Sequence, residues 1–382
     1  MNRRIAIGTG LSAVLAVLLG VTGSLGNAAE AAKPTVKNID VVLCLDVSNS
    51  MDGLIGSAKT KLWDIVNDLA KIKPTPNLRV GLYSYGNDGY DAKIGWIRKE
   101  VDLTTDLDTI YQKLNGLTTN GGTEYVTRVC RDAIIQQKWS EDKKALKIIF
   151  VCGNEPASQD PEVKLKAVAD KAIGKGIVIN PIYCGNPNDN DARDWKEYAA
   201  LCGGRFASID QDRGTVAIAT PMDKELAELS GKLNTTYVCY GQMAKEKAAN
   251  QVAQDANAAK QGQAAVAART TTKGGGLYRN SDWDLVDRCK DDPKFDVRKV
   301  AVDDLPDNMK KMTPDERVAH VKKKAAERAG IQKKIAELSA KRDVYVKEQL
   351  KKNPSKADKA FDAAIRSTLR EQAQEKGINI PD

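Results

Sequence analysis

The chain holds one histidine, His320, in 382 residues, and only 5% of its side chains are aromatic. A single histidine works against zinc hydrolases, Ser-His-Asp triads and haem ligation. Scarce aromatics work against a platform on which nucleic-acid bases could stack. The seven cysteines include no CxxC spacing, and none precedes Cys44, so a lipid-modified N-terminal cysteine is unavailable. Net charge is only +8, which by itself is no nucleic-acid signature. What remains is 42% apolar and 29% charged residues in a length that suits two or three domains.

Met1-Asn-Arg-Arg precedes an apolar, glycine-containing stretch from Ile5 to about Gly23, and Ala29-Glu30-Ala31 has the small-x-small form of a signal-peptidase site. Residues 1–31 therefore read as a signal peptide cleaved near Ala31, giving a periplasmic or secreted bacterial protein; an uncleaved anchor is the alternative. An oxidising compartment permits disulfides, and Cys184 with Cys202 is the favoured pair, because each borders a strand on either side of one helix. Cys44 and Cys152 lie in strand-like runs and read as buried thiols. Cys239 and Cys289 could link the two halves of the chain.

From Val36 to about Leu233, apolar β-branched runs alternate with amphipathic ones. Ile39–Leu45 is nearly all apolar, as a strand buried on both faces should be. Ile55, Ala58, Leu62, Ile65, Val66, Leu69 and Ile72 follow at helical spacing, ending at Pro74 and Pro76. Further strands are predicted at Leu78–Tyr85, Ile97–Leu103, Ala145–Cys152, Ile177–Tyr183 and Arg205–Ile209, with helices between them. The alternation predicts an α/β domain over 36–235, with a doubly wound, mainly parallel sheet.

Residues 236–276 read as an Ala/Gln-rich segment closing in a Gly-rich linker, Thr270 to Gly276. Residues 277–382 read as a basic α-helical region. A small packed element is expected around Trp283, Leu285 and Val286. A helix is predicted from Pro314 to Lys351 and a second from Lys356 to Glu375, the latter with Phe361, Ala364, Ile365 and Leu369 on one side. Together they would form a hairpin, in the manner of a coiled coil, broken at Asn353-Pro354. From Lys311 to Lys376 there are 18 Lys and Arg against 10 Asp and Glu, a surplus equal to that of the whole chain. This is either a solvated face or a cationic arm for an anionic envelope polymer, a membrane surface or an acidic protein.

Asp46-Val-Ser48-Asn-Ser50 stands where the first strand ends. A carboxylate and two hydroxyls at alternate positions, at the carboxyl end of a strand, bring three hard oxygens to one point, which suits Mg²⁺, Mn²⁺ or Ca²⁺. The string alone could equally cap a helix. With Gly121-Gly-Thr123-Glu124 farther along, residues 36 to 233 resemble the von Willebrand factor type A domain and its metal-ion-dependent adhesion site. That resemblance implies metal ligation by Asp46, Ser48, Ser50 and Thr123, directly or through water, completed by an acidic side chain of a protein partner.

One departure stands out. The fourth strand of that family usually ends Thr-Asp-Gly, and here Gly153 takes the place of the Asp, with Glu155 as the candidate stand-in. Asp88 and Asp91 lie in a neighbouring Asn/Asp/Gly-rich turn, whose turn chemistry accounts for them without a metal.

The function expected is an exported adhesion or scaffold protein that binds its partner through Mg²⁺ or Mn²⁺ (or Ca²⁺). The alternative is a structural envelope protein with a degenerate metal site, binding through its basic tail. An enzyme is not expected, since metal-assisted hydrolysis would need a base or second metal that the sequence does not supply at this place. Nucleic acid is not an expected partner.

Overall fold

The computed structural model describes residues 36–209, 218–352 and 356–380. The expected signal peptide, the Asn353-Pro354 break and the Phe361 side chain lie outside the described residues. The six strands are β1 (Asn38–Asp46), β2 (Asn77–Tyr85), β3 (Ile97–Thr104), β4 (Leu146–Gly153), β5 (Ile177–Cys184) and β6 (Ala207–Ile209). They form one sheet in the order β3-β2-β1-β4-β5-β6, parallel except for the antiparallel edge strand β3.

Central β1 is apolar from Val41 to Leu45 because both of its faces are covered, and its buried Asp40 is paired with Arg79 of β2 at 2.8 Å. Ile39, Val41, Leu43 and Leu45 enter one core, and Val42 and Cys44 the other. The first core is closed by α1 (Ile55–Ala70) and α2 (Leu107–Gly116). The second is closed by α3 (Val126–Gln136), α4 (Leu165–Gly174) and α5 (Ala192–Leu201). The α1 stripe of Ala58, Leu62, Ile65, Val66 and Leu69 is buried, as its spacing predicts.

The remaining helices are α6 (Asp223–Asn234), α7 (Ala244–Gln261), α8 (Gln263–Gly274), α9 (Leu285–Asp291), α10 (Asp307–Lys310), α11 (Pro314–Lys352) and α12 (Lys356–Glu375). Residues 36–382 form a single compact unit. The linker expected at Thr270–Gly276 is helical through Gly274, and Thr270, Thr272 and Lys273 are buried. Its polar side chains have partners on other helices. The Lys273 ammonium donates to Asp255 Oδ2 (2.7 Å), Asn234 Oδ1 (2.6 Å) and Ser230 Oγ (3.1 Å).

The two long C-terminal helices have the expected extents but serve different surfaces rather than chiefly each other. α11 packs on α6, α8 and α9, while α12 packs on β6. Ile365, Leu369, Ala373 and Ile378 join the first sheet core. Asn180 on β5 and Gln372 on α12 exchange buried amide hydrogen bonds of 3.0 and 2.9 Å. Among the described residues no helix is long and apolar enough to cross a membrane.

The cysteine pairing expected from sequence is corrected. Cys184 faces the first core beside Ala207 and Ile209, whereas Cys202, ending α5, enters the second core beside Trp195 and Tyr198. The sheet lies between them. The sulfur that Cys184 meets is Cys152 Sγ, at 3.1 Å, and all seven cysteines are free thiols. Cys44 and Cys152 are fully buried, in line with their strand positions.

Candidate functional site

Strand β1 ends at Asp46, between the carboxyl ends of β2 and β4, where the direction of strand succession reverses. The chain then tightens into a 3₁₀ turn, Asn49–Met51, before α1. Asp46 is wholly buried. Its Oδ1 accepts from the Ser48 backbone N–H at 2.8 Å, and its Oδ2 has no hydrogen-bond partner. Burial pushes the Asp46 carboxyl up to about 7 against the lowering effect of Ser48, and the charges of Glu124 and Glu155 push the same way.

Ser48 and Ser50 hydroxyls lie 2.8 Å apart. Asn154, just past β4, steadies the second of them. Ser50 Oγ donates to Asn154 Oδ1 at 3.0 Å, and Asn154 Nδ2 donates back to the Ser50 carbonyl at 3.2 Å. Two distant segments are thereby held on one rim.

The Thr118–Thr123 loop is stitched to the same rim by its backbone. Asn120 N–H donates to the Val47 carbonyl at 3.0 Å, and Asn49 N–H donates to the Gly121 carbonyl. Asn87, in the β2–β3 turn, donates to the Thr118 carbonyl at 3.3 Å and accepts from Asn120 Nδ2 at 3.3 Å. Thr123 sits half-buried at the end of this docked segment, immediately before Glu124, whose side chain is only 7% exposed. Gly86, with φ of +78°, makes the approach possible. A β-carbon there would stand 2.9 Å from Asp46 Oδ1 and 3.0 Å from Glu124 Cγ.

Gly153 has an equally local reason. A β-carbon on it would lie 2.5 Å from the Tyr85 hydroxyl and 2.9 Å from Asp46 Oδ2. Tyr85 fills that space from β2, its hydroxyl donating to the Cys152 carbonyl at 3.1 Å. Glu155 is half-buried one residue beyond Asn154, and its backbone carbonyl accepts from Trp195 Nε1 at 2.7 Å. Its carboxylate is near enough to act on Asp46 and Glu124 by charge.

Asp91 behaves as its turn chemistry predicts, accepting from the Lys93 N–H at 2.9 Å. Asp88 is exposed and lies over Gly121. Asn154, Tyr85 and Glu124 were missed as site residues. The signal for Glu124 and Asn154 was their adjacency to Thr123 and Gly153, while Tyr85 gave none.

The donors fit a hard dication. They are a buried carboxylate oxygen with no partner, a hydroxyl pair and a threonine loop docked beside them. Among the described residues no group of three His, Cys, Asp or Glu converges as a metal centre, so hydroxyl oxygens carry much of this donor set.

Residues 41–154 match the family model of the von Willebrand factor type A domain. No curated protein matches the chain. Among solved structures, the SpRpn10 VWA domain is 19% identical with a TM-score of 0.37, covering 47% of this chain and 90% of its own. An aerotolerance-related membrane protein from Bacteroides fragilis is 17% identical with a TM-score of 0.34, covering 45% of this chain and 92% of its own. Proximal thread matrix protein 1 from the mussel byssus, solved with a zinc-occupied MIDAS motif, is 12% identical with a TM-score of 0.36. That match covers 47% of this chain and 43% of the byssus protein, so the chain spans less than half of that relative. Together the central strand ending in Asp46-x-Ser48-x-Ser50, the docked Thr123 loop and the matched span identify residues 41–154 of this chain as a von Willebrand factor type A domain.

Proposed function

We propose that the chain is an exported binding protein whose type A domain holds Mg²⁺ or Mn²⁺ on Asp46, Ser48, Ser50 and Thr123. A carboxylate of a protein partner is gripped through that ion, which when bound would neutralise the buried Asp46 and offer an open position to an acidic ligand. The observation that carries this reading is Asp46 Oδ2, wholly buried and without a partner beside two hydroxyls. A buried carboxylate oxygen left unpaired is costly unless a cation meets it. Glu155 adds negative field to the same rim.

Binding rather than catalysis is proposed, because the one histidine stands on α11 among Lys323, Lys324 and Glu327, apart from this cluster. The test is calorimetry of the full chain, lacking residues 1–31, with Mg²⁺, Mn²⁺ and Ca²⁺, followed by a metal-dependent pull-down from cell envelope. Asp46→Ala should abolish metal uptake and any metal-dependent binding while leaving a folded protein. Retention of either in that variant would refute the site.

A second reading is favoured by the Tyr85–Gly153 contact, which shuts out a carboxylate at position 153. In that reading the metal site is degenerate, and the basic face of α11 binds an anionic envelope polymer. EDTA would then leave envelope binding unchanged, and raised salt would weaken it.

A further inference from the structure

We propose that Glu124 supplies the second carboxylate of the cation site, the charge that Gly153 leaves out. This rests on the metal-binding reading above and deepens it. The three side chains concerned surround one point of the β2–β3 turn. From the position that a Gly86 β-carbon would take, Asp46 Oδ1 lies at 2.9 Å, Glu124 Cγ at 3.0 Å and Ser48 Cβ at 3.4 Å.

Glu124 is held there rather than merely nearby. Gln159 Nε2 donates to the Glu124 carbonyl at 2.5 Å and to its Oε2 at 3.2 Å. Ser48 stands beside both acidic groups, its backbone N–H donating to Asp46 Oδ1 at 2.8 Å and its Cβ bordering the same Gly86 position as Glu124 Cγ.

The basic side chain on the first turn of α3, Arg128, is committed elsewhere. It makes two 2.8 Å bonds to Asp160 and one of 2.9 Å to Glu162. Two carboxylates are therefore packed against one serine in a buried place, and one oxygen of the pair, Asp46 Oδ2, is without any partner. Like charges so placed repel unless a cation stands between them. Two carboxylates with serine and threonine hydroxyls make an oxygen set of the kind that Mg²⁺ and Mn²⁺ prefer.

Glu155, the stand-in expected from sequence, differs in how it is held. The hydrogen bond that fixes it to the fold runs through its backbone to Trp195, so its carboxylate acts on the site by charge from the rim.

The experiment is calorimetric titration of the full chain, lacking residues 1–31, with Mg²⁺ and with Mn²⁺. Wild type is compared with Glu124→Gln, Glu155→Gln and Asp46→Ala, and each is also melted in EDTA. Expected are loss of binding in Asp46→Ala, at least a tenfold weakening in Glu124→Gln and less than a threefold change in Glu155→Gln. In EDTA, Glu124→Gln should melt no lower than wild type, because glutamine can still accept from Gln159 while one buried negative charge is removed.

Wild-type affinity in Glu124→Gln, with binding lost in Asp46→Ala, overturns the role of Glu124 and leaves the metal site standing. A larger loss in Glu155→Gln than in Glu124→Gln overturns it in favour of Glu155. A wild type that takes up neither ion overturns the metal-binding reading itself. Should Glu124→Gln fail to fold, Glu124→Asp keeps the charge but withdraws it by one methylene. The same tenfold weakening is expected of it, and unchanged affinity would count against the proposal.

Discussion

Tyr85 and Gly153 divide one small volume beneath Asp46. The tyrosine hydroxyl stands 2.5 Å from where a Gly153 β-carbon would be, so the size of one residue fixes the size of the other across the β2 and β4 ends. The hydroxyl is satisfied by the Cys152 carbonyl, and burial holds its ionisation well above the usual tyrosine range.

Gly153→Ala should destabilise the chain by about 1–3 kcal/mol through overpacking. Tyr85→Phe removes the atom in conflict, so the double variant should recover part of that loss. Urea unfolding of the two single variants and the double gives the coupling directly. Strict additivity would show that the two residues do not share the space.

Asn154 holds Ser50 by two hydrogen bonds and has no expected contact with the ion. Asn154→Ala should weaken Mg²⁺ or Mn²⁺ uptake by about tenfold, as loss of a ligand-orienting partner commonly does. Its effect on unfolding in EDTA should stay near 1 kcal/mol. Calorimetry set beside thermal melting separates the two effects.

Arg328 on α11 ties the C-terminal region together. Its guanidinium bonds Asp284 at 2.7 Å, Asp287 at 2.9 Å and the Thr236 carbonyl at 2.8 Å, and lies 4.2 Å from the Tyr237 ring centre. Arg328→Ala strands two buried carboxylates and should cost about 3–5 kcal/mol in urea unfolding at neutral pH. Arg328→Lys should recover only a fraction, because a point charge cannot reproduce the planar fork.

Asp287 makes this region pH-sensitive. Burial, reinforced by the Asp284 charge, pushes its carboxyl up to about 6 in spite of Arg328. In the unfolded chain it returns to the ordinary value near 3.9. The folded protein therefore holds this proton more tightly, and the stability gained is fully present below about pH 4 and lost as pH rises through about 6. Asp287→Asn should flatten that part of the stability–pH curve, as measured by denaturant unfolding at several pH values. An unaltered curve would remove Asp287 as its source.

Peptide mapping of the non-reduced protein should find no Cys184–Cys202 linkage, because the two thiols occupy opposite cores. Any disulfide made by Cys184 should be to Cys152, the sulfur it meets at 3.1 Å.

Much of the type A domain was legible because its signals are local. β1 announces two-sided burial by a run apolar except for Asp40, and α1 shows its buried face by spacing. The position of Asp46, Ser48 and Ser50 follows from their standing just past that run. What was not legible depends on partners remote in sequence. Thr270 to Lys273 look like a linker by composition, yet Ser230, Asn234 and Asp255 on other helices satisfy Lys273 and let it be buried. The side of the sheet that Cys184 faces depends on strand parity, which a one-residue uncertainty in register would reverse. The absence of an aspartate at 153 could be read, but its cause, a tyrosine on a neighbouring strand, could not.

The seating of α12 on β6 sets the order in which the first core can close. A nascent chain that still lacks Ile365, Leu369, Ala373 and Ile378 has every strand but leaves one side of its apolar interior open, and Asn180 waits for Gln372. The first core can therefore close only once α12 has been made, so the sheet's strands and the helix that seals them are separated in time by the synthesis of nearly the whole helical region.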